Sequence, residues 1–106
     1  MKKGKSFEDI VCEYLTNLGY RILHRNFYCR GGEIDIIALD GDVLVFVEVK
    51  GTTTKLNPAE RINHKKLQRI YKCAEEFLSK APARECRVDA ILVEGSRIVH
   101  LKNISL

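Results

Sequence analysis

The sequence has no apolar run that approaches the length of a membrane span, so we expect no transmembrane helix and no membrane partner. Its four cysteines, at positions 12, 29, 73 and 86, include no pair with the close spacing of a zinc site. The chain also has no internal repeat, linker or low-complexity segment. These absences leave a single globular domain over residues 1-106 as the expectation.

A signal peptide is also not expected, because residues 1–5 lead directly into an amphipathic segment. A cytoplasmic location follows, and in that compartment we expect the four cysteines to be buried free thiols rather than a disulfide framework. The 18 lysines and arginines exceed the 14 acidic residues, which gives a net charge of +4. This mild excess is compatible with a solvated basic face or with a polyanionic partner.

One stretch, residues 31–50, is apolar and β-branched over most of its length and is broken by a turn at residues 40–42. Asp35, Glu48 and Lys50 stand in it where a buried hairpin would normally carry valine or isoleucine. Charged side chains are rarely buried unless they are paired or bind a metal. The three residues are therefore either a structural ion-pair cluster or a functional site.

The hairpin register places Asp35 and Glu48 on one face of the sheet for either plausible turn. If Gly41-Asp42 is the loop, Asp35 lies opposite Glu48; if Asp40-Gly41 is the loop, it lies opposite Phe46 and diagonal to Glu48. Two carboxylates this close repel each other, and a single lysine offsets the repulsion only in part. A divalent cation between them would remove the repulsion.

The pattern of Asp35 followed by Glu48-Val49-Lys50 has the form D-x(n)-E-x-K. Two carboxylates supply the hard oxygen ligands that Mg²⁺ prefers, and the carbonyl of Val49 is a candidate third ligand. Lys50 would then orient the attacking hydroxide or stabilise charge on the phosphorane. This constellation suits phosphodiester hydrolysis and requires no small-molecule cofactor.

The apolar period predicts a first helix over residues 6–18, capped by Ser6 and ended by Gly19. Glu8 lies at the edge of its apolar stripe. It is either a first-turn acid that complements the helix dipole or an acid directed into a site. Its position alone favours the first alternative.

A second helix is predicted to begin at Asn57-Pro58-Ala59-Glu60 and to run to about Lys80. Lys66 lies on the apolar side of this helix, one turn from both Ile62 and Ile70, so it must snorkel or meet a charge. The other cations form an outer stripe, which is either a solvated face or a phosphate-binding surface. The stripe consists of Arg61, Lys65, Arg69 and Lys72.

Strands are expected over residues 20–29, 88–93 and 97–104, in addition to the two of the hairpin. The resulting order is α-β-β-β-α-β-β. It predicts an α/β domain with a mixed central sheet flanked by helices. Asp89, near the start of a strand, is expected to have a structural role.

The hairpin motifs resemble the signature of the YraN-like uncharacterised protein family, which belongs to the PD-(D/E)xK, restriction-endonuclease-like superfamily and is similar to archaeal Holliday junction resolvases. The resemblance covers nearly the whole chain. The matching segments are Gly32-Glu33-Ile34-Asp35, Val45-Phe46-Val47-Glu48-Val49-Lys50, Gly4 and Glu8, Gly19-Tyr20, Arg25-Asn26, Lys66 with Arg69, Arg87-Val88-Asp89 and Asn103.

This resemblance implies a restriction-endonuclease-like fold and a Mg²⁺- or Mn²⁺-dependent endonuclease acting on DNA, including branched or Holliday-junction DNA. It implies an active-site set of Glu8, Asp35, Glu48 and Lys50, in which Glu8 joins Asp35, Glu48 and Val49 at the metal. This outweighs the interpretation of Glu8 as a helix-dipole acid. Resolvases cut two strands symmetrically, so a homodimer is expected.

In that interpretation Lys66 and the outer basic stripe contact DNA phosphates. The chain departs from the family at Gly51-Thr52-Thr53, where a threonine or serine with an arginine is usual, and at Leu67, where glutamine is common. These departures affect substrate contacts rather than metal ligation. Two other hypotheses remain: a nucleic-acid-binding module with a nuclease fold and no useful turnover, and a structural ion-pair cluster in a partner-binding domain.

Overall fold

The computed structural model describes residues 4–52, 63–82 and 84–104. Its helices and strands follow the predicted order α-β-β-β-α-β-β, and the mixed α/β class is confirmed. They are α1 Phe7–Asn17, β1 Arg21–Cys29, β2 Gly32–Asp40, β3 Val43–Thr52, α2 His64–Leu78, β4 Cys86–Glu94 and β5 Arg97–Leu101. Neither helix is long and apolar enough to cross a membrane.

The five strands form one sheet in the order β1-β2-β3-β4-β5. Neighbouring strands are antiparallel except for β3 and β4, which are parallel and are separated in sequence by α2. A helix covers each face. On one face Val11 and Leu15 of α1 pack on Ile36 and Val47; on the other, α2 packs on a separate cluster that includes Phe46.

Local signals account for the ends of α1. The Ser6 hydroxyl accepts the N–H of Asp9 at 3.1 Å, and the Asp9 carboxylate accepts the N–H of Ser6, which completes the predicted capping box. Gly19 follows the helix with a φ of +95°, a left-handed conformation that suits glycine. The helix therefore begins and ends close to its predicted boundaries.

The predicted start of α2 needs correction. Asn63 is extended, with φ −106° and ψ 162°, and its side chain accepts the N–H of Lys66 at 2.8 Å. The helix thus begins at His64, and an uninterrupted helix from residue 57 to residue 80 is wrong because an extended Asn63 breaks it. The segment Asn57-Pro58-Ala59-Glu60 and Arg61 lie outside the described residues.

The hairpin adopts the first of the two predicted registers. Asp40 pairs with Val43, so Gly41-Asp42 is the loop, and Gly41 takes the positive φ of +60° that such a turn requires. Further along, Ile36 pairs with Val47.

The prediction of four free thiols is wrong for two of them. Cys29, at the end of β1, and Cys73, on α2, form a disulfide with a Cα–Cα distance of 5.5 Å. The two residues are 44 positions apart in sequence, and only the packing of α2 over the end of β1 brings them together. Cys12 and Cys86 are free as expected, but Cys86 is exposed and Cys12 only partly buried, so the expected burial is wrong for Cys86.

A buried charge cluster lies in β4. Asp89 is fully buried and accepts hydrogen bonds from Nε of Arg87 at 3.0 Å and from the N–H of Asn103 at 2.9 Å. Nε2 of His100 lies 2.7 Å from its second oxygen. These partners satisfy the buried carboxylate, in agreement with the structural role predicted for it.

Candidate active site

Asp35 and Glu48 lie close together on β2 and β3, where both line the same cavity. The backbone pairing of the two strands ends at Ile36 opposite Val47, one residue before each carboxylate. Oδ2 of Asp35 accepts the N–H of Val49 at 2.8 Å, and Glu48 is 6% exposed. Burial, reinforced by the charge of Glu48, raises the pKa of Asp35 to about 6. The repulsion expected between the two carboxylates is thus present.

Glu48 has a cationic partner that the hairpin pattern does not reveal. Nζ of Lys66, in the first turn of α2, lies 2.7 Å from Oε1 of Glu48. Lys66 therefore meets a charge, which is one of the two outcomes predicted for it. Lys50, by contrast, is half-buried, and its ammonium group makes no hydrogen bond or ion pair within residues 4–52, 63–82 and 84–104. The ion pair at this site is formed by the helix lysine, not by the lysine of the E-x-K motif.

Two cavities meet at Asp35. A cavity of about 500 Å³ on the α2 side is lined by Asp35 and Glu48, and by residues of α2 and of the β1–β2 turn. A second cavity of about 290 Å³, on the α1 side, is lined by Glu8, Asp35, Val49 and Gly51 among others. Asp35 and Val49 line both cavities, so the site is open to both faces of the sheet.

Glu8 lies beside Asp35 on the α1 side. Nη2 of Arg25 is 3.5 Å from its Oε1, and the side-chain nitrogen of Asn26 donates to its Oε2 at 3.1 Å in the amide orientation that satisfies both groups. The charge of Glu8 is a further, smaller cause of the raised pKa of Asp35. The structure thus brings Glu8 to the hairpin carboxylates; its role as a metal ligand stays a prediction.

The donor set fits a hard cation that keeps most of its waters. Within the described part of the chain, no three side chains of the histidine, cysteine, aspartate and glutamate types are close enough together to hold a metal ion. Mg²⁺ needs less, since one or two carboxylates with water and substrate phosphate suffice. Asp35 and Glu48 meet that requirement. The N–H of Val49 is used by Asp35, and its carbonyl as a ligand stays a prediction.

The basic stripe divides into residues at the site and residues beyond it. Lys65 and Arg69 are exposed and line the larger cavity together with Lys66, whereas Lys72 is exposed one turn further along and does not line it. The turn at Gly32 approaches this helix closely, since a Cβ atom there would lie 3.7 Å from Cβ of Arg69. The disulfide between Cys29 and Cys73 fastens the same turn to α2.

Sequence reasoning missed two contributors to the site. Asn63 lines the larger cavity and caps the helix turn that carries Lys66. Phe7 packs on Gly51, immediately after the E-x-K motif. Asparagine is a common helix cap, so the position of Asn63 three residues before Lys66 was a usable signal. No local pattern indicates the contact of Phe7 with Gly51.

A family model and the similar proteins from other organisms all carry the same family description. The model of a family described as "Uncharacterised protein family UPF0102" matches residues 7–93. A UPF0102 protein of Persephonella marina is 49% identical over 105 residues, covering 95% of this chain and 90% of its own. Proteins of the same description from Sulfurihydrogenibium sp. and Campylobacter concisus are each 42% identical and cover 96% and 97% of this chain, and 92% and 93% of their own.

The matched residues include the whole hairpin, Glu8 and α2, so the site described above falls inside the family model. The description of the family names no activity. By the extent of the match and the identity of these relatives, the chain belongs to the uncharacterised protein family UPF0102.

Proposed function

We propose that this protein is a metal-dependent endonuclease that hydrolyses DNA phosphodiester bonds, with branched or Holliday-junction DNA among its substrates. The observation that carries the proposal is the pair formed by Asp35 and Glu48: two adjacent carboxylates, one of them with its pKa raised to about 6, on the wall of an open cavity. Strongly perturbed carboxylates in a cleft are typical of functional sites.

The residues have distinct roles in this proposal. Asp35 and Glu48 hold Mg²⁺ or Mn²⁺, and Glu8 binds the metal or one of its waters from the α1 side. When bound, the metal supplies Lewis-acid activation of the phosphate and of the attacking water. Lys50, whose ammonium has no partner among the described residues, orients the attacking water or stabilises charge on the phosphorane.

DNA is proposed to approach along α2. Lys65 and Arg69 line the cavity that holds the carboxylates, and Lys72 extends the same exposed face by one turn. Exposed lysines and arginines neutralise DNA phosphates, which favours binding. Cleavage of two strands of a junction would require two copies of the site, so the proposal includes a homodimer. A DNA substrate also agrees with the proposed cytoplasmic location.

The decisive experiment measures cleavage of linear and four-way DNA with Mg²⁺ or Mn²⁺. Wild type should cut, and Asp35→Ala and Lys50→Ala should not. Asp42→Ala, in the exposed hairpin loop, and Lys80→Ala, beyond the end of α2, are matched controls that should retain activity. Equal cleavage by wild type and Asp35→Ala would identify a contaminant and end the proposal.

A second candidate is a nucleic-acid-binding module without turnover. The ion pair between Glu48 and Lys66 favours it, because that pair satisfies one carboxylate without a metal. Calorimetry separates the two candidates. No heat of Mn²⁺ or Mg²⁺ binding, together with salt-dependent DNA affinity, would support the binding module.

A further inference from the structure

We propose that Lys66 is an exchangeable counter-ion of the site: it pairs with Glu48 in the metal-free protein and transfers to a DNA phosphate when the metal takes its place. This inference rests on the proposed function, because it assumes that Glu48 is a metal ligand. It assigns to Lys66 two alternative partners rather than a permanent phosphate contact.

The first observation is the asymmetry of the ion pair. The Glu48 side chain is 7% exposed, whereas that of Lys66 is 43% exposed, although their charged atoms are 2.7 Å apart. The carboxylate is held by the strand, and the ammonium reaches it from the solvent side at the end of a flexible stem. Lys66 can therefore leave Glu48 without any movement of the sheet.

The second observation is the charge at the site. Asp35 and Glu48 are neighbours, but Lys66 is the only cation that the described residues place in an ion pair with either of them. A divalent cation bound to Glu48 would lie within a few ångström of the Lys66 ammonium if that pair persisted. Because the Glu48 carboxylate is nearly buried, water only partly screens the repulsion between two cations bound to it, so metal and ammonium exclude each other.

The third observation is the place to which Lys66 would move. Its backbone N–H is held by the side chain of Asn63 at 2.8 Å, so the start of α2 is fixed and only the side chain needs to turn. Lys65 and Arg69 are exposed and line the larger cavity, which also contains the carboxylates. A phosphate bound between them would lie within reach of a released Lys66.

The consequence is that metal and DNA bind cooperatively. Metal alone must displace Lys66 into water, whereas metal with DNA displaces it onto a phosphate. Linkage requires each ligand to strengthen the binding of the other by the same factor. Because the Lys66 ammonium competes with the metal for Glu48, its removal should tighten metal binding in the absence of DNA.

The test is calorimetric titration of the full chain with Mn²⁺ in the absence of DNA. Lys66→Gln should bind Mn²⁺ about tenfold more tightly than wild type, within the usual range of coupling between sites. Lys65→Gln, which removes an equal charge from the same cavity, should remain within about twofold of wild type. Unchanged or weaker Mn²⁺ binding by Lys66→Gln would overturn the exchange.

A second measurement distinguishes the exchange from a permanent phosphate contact. In a Lys50→Ala background, which blocks cleavage but keeps the carboxylates, DNA affinity is measured with and without Mn²⁺. Adding Lys66→Gln should leave DNA affinity unchanged in the absence of metal and weaken it roughly tenfold in its presence, with a salt dependence lower by about one ion. A loss of the same size with and without metal would overturn the exchange.

The variant Lys66→Arg is the control for a change in folding caused by substitution at this position. It keeps the charge and should bind Mn²⁺ no more tightly than wild type; tighter binding would contradict the exchange.

The two proposals fail in different ways. If wild type binds Mn²⁺ and cuts DNA but Lys66→Gln gains no affinity, only the exchange is wrong. If neither wild type nor Lys66→Gln binds Mn²⁺, the metal-dependent function is wrong and the exchange falls with it.

Discussion

The ring of Phe7 lies directly on the backbone of Gly51, so that a methyl group added to this glycine would overlap the ring. Phe7 precedes Glu8 at the start of α1, and Gly51 follows Lys50 near the end of β3. The contact therefore sets the distance between the acid supplied by the helix and the motif supplied by the strand.

The Gly51→Ala variant should lower stability by about 1–3 kcal/mol, the usual effect of overpacking a close contact. Replacing Phe7 by alanine removes the overlap, so the double variant should lose less stability than the sum of the two single variants. Urea unfolding of the four proteins measures this coupling. Gly4→Ala is the control, because a Cβ atom there meets no neighbour within 4 Å. Strictly additive losses would show that the ring does not rest on Gly51.

The Asp35→Asn variant should be more stable than wild type in metal-free buffer at pH 8. Its asparagine oxygen can still accept the N–H of Val49, while the charge that burial and Glu48 disfavour is gone. After allowance for partial solvent exposure, the gain should be about 1 kcal/mol.

The pH dependence of that gain follows from the raised pKa of Asp35. The folded protein holds the proton more tightly than the unfolded chain, so wild-type stability falls as the pH rises from about 4 through about 6. The gain in stability of Asp35→Asn over wild type should hence be full above pH 6 and vanish near pH 4. Asp42→Asn, in the exposed loop, should show no such difference. A loss of stability in Asp35→Asn at pH 8 would favour the structural-cluster hypothesis.

Acid unfolding should depend on Asp89. Burial alone would raise the pKa of this carboxyl, but hydrogen bonds from His100, Asn103 and Arg87 outweigh burial and hold it below its usual range. A depressed pKa stabilises the fold above the unfolded value of about 4, and this stabilisation is lost as the pH falls through the folded value.

The Asp89→Asn variant leaves Arg87 without its buried partner and should cost about 3 kcal/mol at pH 7. Its stability should also change less with pH below about 4 than that of wild type. Denaturant unfolding at a series of pH values checks both effects, with Glu85→Gln, an exposed acid, as the control. If Asp89→Asn lost as much stability below pH 4 as wild type does, the Asp89 carboxylate would not be the cause of acid unfolding.

The disulfide predicts how many cysteines of the protein react as free thiols. Unfolded, unreduced protein should react at two thiols, Cys12 and Cys86, and at four after reduction. Because the bridge closes a segment of 44 residues, replacing both Cys29 and Cys73 by serine should lower stability by roughly 2–4 kcal/mol. The paired replacement of Cys12 and Cys86 is the control. Four reactive thiols without reductant would show that the bridge does not form.

Much of the fold was predictable because its signals are local. The 3.6-residue apolar period and the Ser6–Asp9 capping box define α1, and alternation with a tight turn defines the hairpin. The start of α2 was not predicted, since the pattern at Asn57-Pro58-Ala59-Glu60 indicated an earlier start than the cap that Asn63 forms.

Within the candidate site, the sequence by itself determined that Asp35 and Glu48 come close together, because strand side chains alternate and a short turn allows few registers. Only the tertiary structure decided which cation meets Glu48, where Glu8 lies, and that Cys29 reaches Cys73. Each of these relationships joins a helix to the sheet across a long stretch of chain. Local periodicity defines the faces of each element, but the position of one element on another follows from packing of the two cores.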